Sequence, residues 1–90
     1  MSDAEIAGHL AAAPDWSRIG HAIEKTFTFR SWPATMAFVN NVAAIADAEG
    51  HHPELTVSYG RCDVRWSTHS VGGLSINDFI CAAKVDALPA

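Results

Sequence analysis

Gly50-His51-His52-Pro53-Glu54-Leu55-Thr56-Val57-Ser58-Tyr59-Gly60-Arg61-Cys62-Asp63-Val64-Arg65-Trp66 joins the end of a helix to two alternating runs. Leu55, Val57 and Tyr59, then Cys62, Val64 and Trp66, recur at every second position, the period of a strand with one buried face. Between them lies Gly60-Arg61, and glycine in the first of two turn positions suits a type II′ hairpin. That turn puts Tyr59 opposite Cys62, Val57 opposite Val64 and Leu55 opposite Trp66 on the apolar face. Ser58 then meets Asp63 and Thr56 meets Arg65 on the polar one. Two further steps along the same register set His52 opposite His69.

Working upstream, Pro33 suits the first turn of a helix. Met36, Val39, Val42 or Ala43, and Ala46 carry it at steps of three and four to about Glu49, where Gly50 supplies the C-terminal cap. The last carbonyls of this helix point toward His51 and His52, which favours a cationic imidazole there, and Asp47 one turn back acts in the same sense. Earlier still, Ala22 to Phe29 reads as a strand with Ile23, Lys25, Phe27 and Phe29 on one face and Glu24, Thr26 and Thr28 on the other; Trp16 opens an extended segment ahead of it. Ser2 and Glu5 have capping-box spacing, so residues 3–13 are predicted as a helix stopped by Pro14. Downstream, Gly72-Gly73 lets the chain turn, and Ser75-x-x-Asp78 caps a final helix to about Leu88. Its expected buried side is Ile76, Phe79 or Ile80, Ala83 and Val85. The order predicts an α+β fold, a four-stranded antiparallel sheet with three helices packed on one face, residues 1–90 forming a single domain.

The 90 residues make a chain that buries only about 60–65% of its unfolded surface, a size at which oligomerisation helps stability. A net charge of −4 with six Lys and Arg argues against direct nucleic-acid binding, which needs clustered cations. No apolar run approaches the roughly 20 residues of a membrane span. Met1-Ser2-Asp3-Ala4-Glu5 is acidic where a secretory signal is basic, so a cytoplasmic protein without membrane partners is expected. Cys62 and Cys81 lack Cys-x-x-Cys spacing and read as buried free thiols.

Three of the five histidines, His51, His52 and His69, fall at two junctions between elements. Imidazole titrates at about pH 6.5, so imidazoles converging from separate elements can donate and accept protons. His9 and His21 read as exposed. Asp78 has two readings, a capping residue in the first turn of the last helix or a member of the site.

Asp47-x-x-x-His51-His52-Pro53-Glu54, then Tyr59, then Ser67-Thr68-His69-x-x-Gly72-Gly73-Leu74-Ser75-x-x-Asp78 resembles the pterin-4a-carbinolamine dehydratase family. Trp16, Phe27-x-Phe29, Phe38 and Val42-Ala43 extend the resemblance over most of the chain. Leu55 and Trp66 depart from the family pattern, in which an aromatic and an aliphatic residue are usual, and both departures bear on packing. The resemblance implies a 4a-hydroxytetrahydropterin substrate that loses water without metal or other cofactor. His51 and His69 would transfer protons, and His52 would bind and orient the pterin. Pro53, Thr68, Ser70 and Val71 would shape the pocket, with Asp78 and Asp47 beside it. It also implies a homodimer or homotetramer. The alternative is a non-catalytic dimerisation module, since animal relatives partner a homeodomain transcription factor. A zinc site is disfavoured because adjacent histidines diverge on extended backbone.

Overall fold

Pro33 and Gly50 bracket the longest element, α2 (Trp32–Glu49), in the computed structural model, which describes residues 1–89. Ser31 Oγ accepts the Ala34 N–H at the start. At the end Gly50 takes φ 60°, the left-handed conformation that glycine adopts without strain. The buried stripe of α2 is Thr35, Phe38, Val42 and Ala46, turned by one position from the expected Met36 and Val39 at its first half. Thr35 can lie in that stripe because its hydroxyl is satisfied, 2.8 Å from the Ser31 carbonyl and 2.7 Å from that of Tyr59.

Around α2 the chain forms α1 (Asp3–Ala11), β1 (Ser17–Ile19), β2 (Ala22–Thr28), β3 (Glu54–Ser58), β4 (Arg61–Trp66), a 3₁₀ turn (His69–Val71) and α3 (Ile76–Asp86). The expected capping box of α1 is present, but the helix ends two residues short of Ala13. The four strands form one antiparallel sheet in the order β1-β2-β4-β3. Ile23, Phe27, Cys62, Val64, Trp66, Leu55 and Val57 face the helices and join Phe38, Val42, Phe79, Ala82 and Val85 in the core. The opposite face is polar, with Arg65 paired to Glu24 at 2.7 Å and Thr26 donating to Asp63 at 2.6 Å. On the helix side Lys25 reaches Asp86 at 2.7 Å, and the same carboxylate accepts the Trp16 indole N–H at 2.9 Å, so the end of α3 is tied to both β2 and the segment before β1.

The β3–β4 register differs from the one predicted. The pairs are Ser58 with Arg61, Val57 with Cys62, Leu55 with Val64 and Glu54 with Arg65, so the turn is Tyr59-Gly60. The displacement is an even step and keeps every side chain on its face, but it removes the expected opposition of His52 and His69, neither of which lies on the ladder. Its cause is non-local. β4 also pairs with β2, Arg61 opposite Thr28, and the Phe29 N–H donates to the Gly60 carbonyl at 2.8 Å. A Cβ on Gly60 would come 2.7 Å from the Phe29 carbonyl oxygen, so glycine serves close backbone approach here. Gly60→Ala is therefore expected to destabilise the fold by roughly 1–3 kcal/mol, as forced overpacking does. A melting temperature equal to that of the unsubstituted protein would contradict this.

Both cysteines are free and buried. Burial, then the charges of Glu49 and Asp78, push the Cys81 thiol up to about 11. A folded-state value above the ordinary 9.0 gives stability that is complete below that pH and lost as pH rises toward 11. Denaturant midpoints should accordingly fall between about pH 9 and 11, with a smaller fall in a Cys81→Ala variant.

Candidate active site

Three junctions build the site: the end of α2, the end of β4, and the start of α3. After the left-handed Gly50, the His51 N–H returns to the Ala46 carbonyl at 3.0 Å, which fixes the backbone from which its imidazole projects. His51 lies against β4, its ring stacked on that of Trp66 with centroids 5.5 Å apart and planes 15° apart. His51 Nε2 is 2.6 Å from Asp78 Oδ1. The second oxygen of that carboxylate accepts the Ser75 N–H at 2.9 Å and the Thr68 hydroxyl at 2.8 Å, and the Thr68 and Ser75 hydroxyls are 2.8 Å apart.

Asp78 is fully buried. A buried carboxylate is tolerated only when its oxygens are hydrogen-bonded and its charge has a partner, and each of these contacts meets part of that demand. Both readings of Asp78 hold: Oδ2 caps α3 and Oδ1 meets His51. The buried stripe of that helix keeps the expected Phe79 and Val85 but is turned away from the expected Ile76 and Ala83. Asp78, Phe79, Cys81, Ala82 and Val85 are the buried set, while Ile76 is exposed and Ala83 faces outward.

Thr68 N and O pair with Gly73 O and N at 2.8 and 3.3 Å, closing the intervening residues into a clamped loop. Gly72, at φ 66°, ends the 3₁₀ turn. His69, Ser70 and Val71 are exposed on this turn. His69 lines a cavity of about 220 Å³ with Ser67, Thr68, Gly72, Gly73 and His21. His52 is 72% exposed, with Nε2 3.5 Å from Asp47 Oδ1 on the similarly exposed end of α2. Pro53 is half-buried at the entry to β3.

The structure thus links His51, Asp78, Thr68 and Ser75 directly, places His69 next in the chain to Thr68, and leaves His52 with Asp47 at the rim. Sequence reasoning missed Trp66 as a neighbour of His51 and His21 as a wall beside His69. His9, for which the sequence predicts exposure, stacks half-buried on Phe79 at 4.9 Å. No periodicity signals these contacts, which arise between elements distant in sequence. Among the described residues no three His, Cys, Asp or Glu side chains gather as a metal-binding group, and no helix is long and apolar enough to cross a membrane.

Fold and site define a small α+β protein whose buried carboxylate holds a histidine at a helix–strand junction, an arrangement suited to proton transfer. The chain belongs to the pterin 4 alpha carbinolamine dehydratase family, whose model matches residues 1–88. Relatives from Nitrosospira multiformis and Stenotrophomonas maltophilia K279a carry the provisional name pterin-4-alpha-carbinolamine dehydratase. They are 49% and 54% identical to it, each match covering 98% of this chain and 78% of the relative. A crystal structure of a transcriptional coactivator/pterin dehydratase from Brucella melitensis superposes with a TM-score of 0.92 at 30% identity, over 97% of this chain and 95% of that one. A pterin dehydratase-like protein identified as a RuBisCO assembly factor in the alpha-carboxysome matches with a TM-score of 0.65 at 25% identity, over 80% and 83% of the two chains.

Proposed function

We propose that this protein is a hydro-lyase that dehydrates 4a-hydroxytetrahydropterin to quinonoid dihydropterin by histidine acid–base catalysis, supporting tetrahydropterin recycling in the cytoplasm. The observation that carries the reading is the 2.6 Å contact between His51 Nε2 and the buried Asp78. A carboxylate accepts a hydrogen bond from Nε2–H and so leaves Nδ1 as the free ring nitrogen, and it stabilises the imidazolium formed when Nδ1 takes a proton. His51 accordingly removes the proton from N5 of the pterin. His69 gives a proton to the hydroxyl on C4a, the C–O bond breaks with release of water, and a C4a–N5 double bond forms. His52, at the rim with Asp47, binds and orients the pterin, while Pro53, Thr68, Ser70 and Val71 shape its surroundings. Proton transfer by positioned groups supplies typically 10²- to 10⁴-fold, and the reaction needs no metal or other cofactor. The test is to generate the carbinolamine and follow its decay with and without the purified protein.

The same reading includes a homodimer or homotetramer and no direct nucleic-acid partner. Edge strands β1 and β3 are open, and Ile76 and Ile80 stand exposed beside an apolar groove between α1 and α3. Such surfaces are covered by closed symmetric association. Sedimentation at micromolar concentration should show a dimer or larger, and monomer alone would count against it. A dimerisation or coactivator role without catalysis is the second reading, favoured by what the two solved relatives are called; it predicts no acceleration of carbinolamine decay.

A further inference from the structure

Trp66 is fully buried, and its indole N–H has no hydrogen-bond partner among the described residues. An unpaired buried donor is costly, and an aliphatic residue would carry none. What the indole adds is a broad flat face, and the His51 ring lies on it, 5.5 Å between centroids and 15° between planes. This is offset-stacked geometry, in which aromatic pairs attract beyond the area they bury. Both partners are held by backbone. Trp66 ends β4 opposite Ile23, and His51 is tied to the end of α2 through Ala46.

The two contacts of His51 restrain different freedoms. Asp78 selects which ring nitrogen is engaged and pins one end of the imidazole, about which the ring could still rock. The indole face sets the plane. We propose that Trp66 is a positioning residue for His51, holding the imidazole plane so that the nitrogen Asp78 leaves free stays aimed at the substrate. Only the kinetic consequence rests on the dehydratase reading.

The test uses the full chain with Trp66→Leu and Trp66→Phe. In the unsubstituted protein, the His51 ring protons should be shifted upfield by the indole ring current. The Leu variant should lose that shift and the Phe variant should keep most of it. Misplacement of a reacting group by about an ångström costs up to about 100-fold, so Trp66→Leu should lower kcat about 10- to 100-fold with KM little changed. Trp66→Phe, which keeps a face and lacks the unused N–H, should recover most of it. Unshifted His51 protons in the unsubstituted protein would overturn the proposal without any variant having to fold. So would a folded Leu variant with undiminished kcat, or a folded Phe variant as impaired as Leu. If no carbinolamine were turned over at all, the dehydratase reading would fail, while the ring-current result would still decide the positioning claim.

Discussion

His51→Ala should reduce kcat by about 10²- to 10⁴-fold, the range typical of a lost general acid or base, while KM for the carbinolamine stays within a few-fold. The asymmetry follows from the role. A group that moves a proton acts in the transition state, so its loss appears in kcat and kcat/KM together, whereas a group that only holds the substrate appears in KM. His52, 72% exposed and, among the described residues, partnered only by Asp47 at 3.5 Å, is the internal contrast, and the same substitution there should raise KM more than it lowers kcat. Steady-state kinetics of both variants decides the matter. Equal kcat losses at the two positions would contradict the division of roles.

Asp78→Asn should be nearly as damaging, by about 10²-fold or more in kcat, because the wrong tautomer is as unproductive as a missing ring. An amide can turn its N–H₂ toward His51 Nε2, which then must accept, leaving the proton on Nδ1 where the base should be. The near-isosteric change keeps the site filled, and the amide oxygen can still accept from Ser75 and Thr68, so the fold should survive with a loss of about 1 kcal/mol from a weakened cap. Asp78→Ala is a poorer test. It strands His51 Nε2 and the Ser75 N–H together in a part-buried place, at a cost of roughly 3–5 kcal/mol. A folded Asn variant with kcat within threefold of the unsubstituted protein would show that the carboxylate serves only α3.

These two residues also mark what the sequence could disclose. Ser2, Pro33, Gly50 and Ser75 announced helix ends, because capping is a contact between near neighbours and leaves its trace in residue order. The alternation from Leu55 to Trp66 announced the hairpin and its faces for the same reason. The register was hidden because β4 answers to β2 as well as to β3. Glycine at position 60 reads as a turn former until the Phe29 carbonyl is seen 2.7 Å from where a Cβ would lie. Thr35 and Asp78 each took a place in an apolar stripe, and each did so where partners from another element receive it. In the first case the partner is a hairpin carbonyl, and in the second it is the imidazole at the centre of the site. A polar residue in a helix stripe was thus the signal that pointed to His51, and reading it required the three-dimensional arrangement. In the sequence Trp66 reads as a packing departure, because its partner His51 is fifteen positions away and on no common periodicity.

The most direct test of the acid–base account is the decay rate of 4a-hydroxytetrahydropterin with chelator-stripped protein, compared with the His51→Ala, His69→Ala double variant and with buffer alone. The account predicts that stripped protein accelerates dehydration as well as untreated protein does, and that the folded double variant falls to the buffer rate. Stripped protein that matched buffer and recovered on addition of zinc, or a double variant as fast as the unsubstituted chain, would contradict it.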